Sequence, residues 1–360
     1  MKLVVFGLSL SSSWGNGHAT TYRSLLRAFA GRGHEVTFYE WDAPWYRGAN
    51  RDLPKPDFAE LILYESWDCV RDSAIRAANE ADATLVGSFV RDGAGVIDDL
   101  AAADVAPLYF YDIDTPVTVS MSRSGGCEYL RRDQVALFDC YLSFTGGPFL
   151  QDVLIAEFGA RDARALYCSV DVDQYEQTSP DSEFVADLAY MGTYAADRQP
   201  TIEKLLIDVA RRLPERRFLV AGPQYPAEMR WPSNVRRIEH VPQAHHAAFY
   251  SSARWQLNAT RREMILAGWS PSVRLFEAGA AGAAILSDDW PGIDQLFTPG
   301  VEVLLPDTTD DVVEILSRDD EEARIEMGRR MRQRIVEGHS GEVRATELER
   351  YIGATVQGRR

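Results

Sequence analysis

No run of 18 or more apolar residues occurs in this 360-residue chain, so nothing in it reads as a membrane-spanning helix. A secretory signal is missing as well. Met1 to Leu8 is a short strand-like run with one lysine, lacking the longer apolar region and cleavage site of such a signal. Cysteine is scarce: Cys69, Cys127, Cys140 and Cys168 are scattered, with no CxxC and no histidine cluster to match. That spacing gives no support to a disulfide framework or a zinc site, and predicts buried free thiols in a reducing cytoplasm. Positive charge is short too, with 38 Lys and Arg against 54 Asp and Glu and a net charge of -16. An acidic chain repels phosphate backbones, so nucleic acid is not an expected partner. A phosphate-bearing ligand must then be held by local arginines and helix N-termini.

What is present supports two buried cores. Hydrophobic residues make up 46% and charged residues 26%, which suits two folded domains of ordinary size. Lys2–Leu8, Glu35–Glu40, Leu61–Tyr64, Thr84–Phe89, Pro107–Tyr111 and Cys140–Thr145 read as strands, and Thr20–Arg32 as a helix. Strands that are unbroken apolar runs, alternating with helical patterns, predict a parallel sheet covered on both faces. The polar, acidic stretch Val170–Val185 interrupts the pattern and reads as a linker. Alternation restarts with the strand Leu188–Gly192, the helix Thr201–Arg212 and the strands Arg217–Ala221, Arg254–Asn258, Ala283–Ser287 and Val301–Leu305. Glu321–Glu337 and Glu342–Ile352 read as closing helices. The expected architecture is α/β, with two Rossmann-like doubly wound domains facing a central cleft. Its boundaries are 1–172, a linker at 173–186, a second domain at 187–338, and a last helix within 339–360 packing back on the first.

Ligands of open α/β sheets bind beyond the carboxyl ends of the strands. The most informative segment there is Ser270-Pro271-Ser272-Val273-Arg274-Leu275-Phe276-Glu277-Ala278. Ser270 suits an N-cap and Pro271 the first helical position. Free N–H groups, the Ser272 hydroxyl and Arg274 would bind a diphosphate. Glu277 lies five residues on from Ser272, about 7.5 Å along a helix axis. A carboxylate at that distance can accept both hydroxyls of the ribose of the same nucleotide.

From Leu188 to Leu305 the order of features resembles the donor domain of family 4-type glycosyltransferases of the GT-B architecture, in particular the CgeB-like group. Tyr190-Met191-Gly192-Thr193-Tyr194 with Asp197-Arg198, Val220-Ala221-Gly222-Pro223, Leu257-Asn258-Ala259-Thr260-Arg261, Ser270–Ala278 and Ile285-Leu286-Ser287-Asp288 carry the likeness. Ser11–His18 and Tyr111–Pro116 extend it to the amino-terminal half. The resemblance implies sugar transfer from a nucleoside-diphosphate sugar. It assigns Glu277 to the donor ribose and Arg198, Arg261 and Arg274 to the diphosphate. Gly192, Thr193, Gly222, Pro223, Asn258, Ser272 and Val273 join them as donor-side residues. The nucleotide sugar is a co-substrate; no cofactor and no metal are expected. One departure is Trp269, which stands where related enzymes often carry a glutamate near the donor sugar.

Trp14, Gly15, Asn16 and Gly17 lie on a polar loop expected on the acceptor side, with Asp112. His18, at the mouth of the following helix, and Asp114, at a strand end, are the two candidates for catalytic base. The Asp112-Ile113-Asp114 pair would also suit a divalent metal, but in a single-domain fold. Trp41, Trp45, Tyr46, Tyr64 and Trp67 are either a sugar-stacking platform or ordinary packing. The run Arg329–Arg334 reads as a solvated helix face. A nicotinamide-dependent oxidoreductase is the first rival, because Gly15-Asn16-Gly17 followed by Glu40 is superficially a dinucleotide fingerprint. The loop is too long, however, and Thr20 stands where the third glycine belongs. A sugar-nucleotide epimerase, a phosphorylase or a non-catalytic nucleotide-binding subunit would share the fold. The acceptor is a small molecule, polysaccharide or protein.

Overall fold

The structure, a computed structural model, describes residues 1–15, 17–318 and 320–358. The chain divides into two compact units, 1–169 with 341–360, and 170–340.

The first unit is built on seven parallel strands: β1 (Lys2–Gly7), β2 (Glu35–Trp41), β3 (Glu60–Tyr64), β4 (Ala83–Gly87), β5 (Leu108–Asp112), β6 (Cys140–Ser143) and β7 (Ala163–Ala165). Their order in the sheet is β3-β2-β1-β4-β5-β6-β7. β4 and β5 are buried along their whole length, because helices cover both faces and no residue can point to water. The order reverses beside β1, so the loops after β1 and β4 open at the switch point where such folds bind ligands. The helix His18–Gly31 follows β1. Gly341–Gly358 returns to pack on it, with Glu349 accepting from Arg32 at 2.6 Å and lying 2.5 Å from the His34 ring nitrogen. β7 is absent from the sequence expectations: it is a three-residue, half-buried edge strand without an apolar run.

The second unit repeats the plan with β8 (Ala186–Met191), β9 (Phe218–Ala221), β10 (Val235–Ile238), β11 (Ala253–Asn258) and β12 (Ala284–Ser287), ordered β10-β9-β8-β11-β12 and all parallel. β10, with two arginines in four residues, also escapes an apolar-run criterion. Helical residues 199–212 contain a wider π-type turn at Glu203–Ile207. The expected strand Val301–Leu305 does not form. Only single bridges, Leu286 to Leu304 and Pro299 to Val303, occur there, in a stretch broken by Gly300 and Pro306. Tyr175 and Phe184, in the stretch read as a linker, are buried in this unit. Glu321–Gly338 closes it against the helix Val273–Ala280, with Ile335 and Met331 packed over Gly279.

All four cysteines are free. Cys140 and Cys168 are buried, whereas Cys69 is exposed and Cys127 half-buried, which corrects the expectation for those two thiols. Among the described residues no helix is long and apolar enough to cross a membrane.

Candidate functional site

In the second unit the donor-side residues gather at the carboxyl ends of β8, β9 and β11. Glycine is what lets β8 and β9 end side by side. Gly222 has φ +137°, and a Cβ there would lie 2.0 Å from the Gly192 carbonyl oxygen. A Cβ on Gly192 would lie 2.7 Å from a guanidinium nitrogen of Arg274. Gly222 therefore needs a bare backbone, whereas a side chain at Gly192 would displace the tips of Tyr190 and Arg274.

Arg274 is the centre of this edge. Nearly enclosed, it donates from Nε to the Met191 carbonyl at 2.6 Å and from Nη1 to Asn258 Oδ1 at 2.9 Å. Its guanidinium carbon stands 4.6 Å from the Tyr190 ring centroid. These hydrogen-bond partners are neutral, so the guanidinium ties two strand ends together without a carboxylate bonded to it. Arg198 donates to the Thr193 carbonyl at 2.7 Å, and its Nε is buried without a hydrogen bond. Burial, and then the nearby charges of Arg274 and Arg261, push its pKa down. Arg261 stands 3.5 Å from Asp197, whose other contact is the Arg262 backbone N–H at 3.0 Å. Three guanidiniums thus converge, with Asp197 beside Arg261 and the buried Asp288 in the field of Arg274, so cations outnumber carboxylates and an anion would be stabilised there.

The helix behind them starts later than its sequence suggests. Ser272, not Ser270, is the N-cap, and its hydroxyl accepts from the Arg274 N–H at 3.4 Å; the helix runs Val273–Ala280. Ser270 and Pro271 precede it, with Ser270 buried. The correction moves the helix N terminus two residues on, where the Arg274 N–H meets the Ser272 hydroxyl and the Leu275 N–H the Ser272 carbonyl at 3.1 Å. Pro223 follows Gly222 and is half-buried, as is Thr193. Asn258 is wholly buried: its amide donates to Ser287 at 2.9 Å and its oxygen holds Arg274. It positions the arginine.

Glu277 is also buried, and the phenols of Tyr175 and Tyr250 donate to its two oxygens at 2.9 and 2.8 Å. Tyr175 also meets His246 Nδ1 at 3.2 Å, and His246 Nε2 lies 3.1 Å from the Val241 carbonyl. A carboxylate offers about four acceptor directions, so accepting phenols is compatible with accepting a diol. Tyr175 and Tyr250 were missed in the sequence. One lies in an apparent linker and the other on a helix of ordinary composition. Trp269 adopts a left-handed backbone, φ +44°, and donates from Nε1 to Gln295 at 2.8 Å.

In the first unit His18 and Asp114 come together, with His18 Nε2 3.0 Å from Asp114 Oδ2. His18 is 6% exposed, and its Nδ1 is buried without a hydrogen bond. Asp112 is elsewhere occupied. It is fully buried, the Tyr141 phenol donates to one oxygen, and Thr118 donates to the other at 2.8 Å. Burial raises its pKa to about 6 against those hydrogen bonds. It is a buried anchor beneath Asp114 rather than a group turned to the loop. Among the described residues no group of three His, Cys, Asp or Glu side chains has the spacing of a metal site.

The loop after β1 is not a dinucleotide cradle. Glu40 turns back on it and accepts from the N–H groups of Leu10 at 2.6 Å and Ser11 at 2.8 Å, and from the Ser11 hydroxyl at 2.6 Å. The acid that looked like a ribose ligand thus fills the loop's own anion site. Trp14 is exposed, Gly15 has φ +68°, and Gly17 precedes the helix as its N-cap. Asn16 lies outside the described residues. Of the five aromatic residues near β2 and β3, Tyr46, Tyr64 and Trp67 are core, while Trp45 is exposed and Trp41 half-buried. In the arginine run, Arg329 and Arg330 pair with Glu326 on the surface, whereas Arg332 bonds inward to Ala280.

Residues 198–350 match a family model described as glycosyl transferase-like. No curated protein sequence matches the chain. Among solved structures, sucrose-phosphate synthase from Thermosynechococcus elongatus is similar at 12% identity and TM-score 0.70, covering 99% of each chain. An alpha-glucosyltransferase in complex with UDP is similar at 13% identity and TM-score 0.72, over 98% of this chain and 100% of that one. The Anabaena protein HepE, in complex with UDP and glucose, is similar at 13% identity and TM-score 0.68, over 98% and 100%. These likenesses show the GT-B fold, with its two Rossmann-like units.

Proposed function

We propose that this glycosyltransferase moves a sugar from a nucleoside-diphosphate sugar to an acceptor hydroxyl without a metal ion. The convergence of Arg198, Arg261 and Arg274 beside the N terminus of Val273–Ala280 carries the reading. As the bond from the anomeric carbon to the diphosphate breaks, negative charge grows on the leaving oxygen. Fixed guanidiniums and helix N–H groups stabilise that charge without reorganising. Glu277 accepts the ribose hydroxyls, with Tyr175 and Tyr250 fixing its orientation.

The proton of the acceptor goes to the His18–Asp114 pair, whose accessible member is Asp114, its side chain 38% exposed against 8% for His18. The His18 ring, 3.0 Å away through Nε2, orients that carboxylate and shares the proton. The His tautomer follows from this pairing. Uridine diphosphate is the first nucleotide to test, since the alpha-glucosyltransferase and HepE of the same fold were solved with UDP.

The deciding measurement is thermal stabilisation by UDP, GDP and TDP and their sugars, with and without EDTA. At 100 times its dissociation constant a ligand adds about 2.7 kcal/mol, or several degrees. The expected result is a shift with one diphosphate that is indifferent to EDTA and lost in Glu277→Ala. No shift with any of them overturns the reading. Turnover of the donor sugar without an acceptor and without release of diphosphate points to an epimerase instead.

A further inference from the structure

Two of the eight tryptophans are exposed, Trp14 at 41% and Trp45 at 51%, and both lie in one loop cluster of the first unit. Polar side chains lace that cluster together beyond the carboxyl ends of β1 and β2. Ser12 donates to the Asn50 carbonyl at 2.6 Å, and Asn50 donates to the Trp45 carbonyl at 2.8 Å. Ser13 donates to Asp52 at 2.8 Å, and Arg23 holds Asp52 at 2.8 Å from beneath. Trp41 stands edge-on to Trp45, with ring centroids 5.2 Å apart at 71°, and the Arg91 guanidinium covers Trp41 at 5.2 Å. Asp42, on the same turn, pairs with Arg47 at 2.9 Å.

Indoles left in water beside hydrogen-bonded polar loops are not core packing residues. Nor is the patch contiguous enough for a protein or membrane partner, since Asp42, Arg47 and Arg91 break it up, and the net charge of -16 opposes an anionic bilayer. Apolar faces alternating with planar charged groups match a sugar chain. The C–H face of a pyranose lies on an indole, and its equatorial hydroxyls bond in pairs to guanidinium and carboxylate. We propose that Trp14 and Trp45, with Trp41 bracing Trp45 edge-on beneath Arg91, form an oligosaccharide-binding platform, and that the acceptor is an oligosaccharide. This rests on the glycosyltransferase reading for its use, but the binding is testable without a donor.

The full-length protein is titrated with malto-, cello-, chito- and mannotetraose and with glucose, following tryptophan fluorescence and, separately, UDP binding by calorimetry. One tetraose is expected to shift the emission, and to bind about tenfold or more tighter than the monosaccharide, because a chain can cover more than one indole. Trp45→Ala weakens it about tenfold, Trp45→Phe restores part of the affinity, and UDP affinity stays unchanged in both. No shift with any tetraose, or a shift that survives the Trp14→Ala/Trp45→Ala pair, overturns the proposal. Loss of UDP binding in the wild-type protein instead defeats the donor reading, whatever the saccharide result.

Discussion

The two units share the strand order around their first strand, yet they treat charge at the carboxyl edge in opposite ways. In the first, Glu40 is bonded by the loop it supports, Asp52 by Arg23, and His18 by Asp114. In the second, Arg274 and Arg198 are held by carbonyls, an amide and a ring face. One edge has filled its own anion site with a glutamate; the other bonds its arginines to neutral groups, which is the feature the proposed diphosphate site rests on. The same backbone architecture thus supports two roles, and side-chain charge assigns them.

The sharpest way to divide the units is to break the proposed His18–Asp114 base pair. On the proposed mechanism His18→Ala lowers turnover by about 10²–10⁴ while calorimetric UDP affinity holds, because the proposed donor residues all lie in the other unit. Equal loss of both erases the division of labour. Next in size, Arg274→Lys keeps a positive charge but loses the fork that spans Met191 and Asn258. UDP affinity should fall about tenfold or more, measured by calorimetry, with saccharide binding intact.

Glu40→Gln probes the first edge. An amide can keep its oxygen on the Leu10 and Ser11 N–H groups and turn its NH2 to the Ser9 and Ser11 hydroxyls, but it gives up the charge, so the melting temperature should fall by a few degrees, for a loss of about 1 kcal/mol. Unchanged UDP affinity in that variant supports the contrast; a gain in dinucleotide or diphosphate affinity at the vacated loop would sharpen it further.

The smallest expected effect is a pH slope. Asp112 has its pKa raised by burial from 3.8 to about 6, so between those values the folded state holds the extra proton. Stability therefore falls as pH rises through that window, by up to about 3 kcal/mol. Asp112→Asn should flatten that part of a denaturant-midpoint profile measured from pH 4 to 7, and an unaltered slope would remove Asp112 as its cause.

Much of the fold was legible because fully covered parallel strands are unbroken apolar runs, as in Ala83–Gly87 and Leu108–Asp112. The edge strands β7 and β10 were not, since an edge lacks that burial and β10 carries Arg236 and Arg237. Val301–Leu305 reads as apolar yet stays outside the sheet, because composition records burial and not pairing. At the candidate site, Arg274 and Glu277 could be picked out by charge and by spacing from a helix start, and Arg198 and Arg261 only through the family resemblance. Tyr175 and Tyr250 could not: nothing local marks a phenol whose partner lies 102 or 27 positions away.

The sequence alone determined the α/β class, the repeated strand–helix plan and the presence of a marked helix start at 270–274, because periodicity, apolar runs and capping chemistry are local. Tertiary structure decided the rest. It paired His18 with Asp114 across 96 positions and closed Glu40 onto the loop that seemed a dinucleotide site. It also enclosed Asp112 while leaving Trp14 and Trp45 in water. Hydrogen-bond partners and exposure depend on which distant segments the sheet brings alongside, and that is a property of the folded chain.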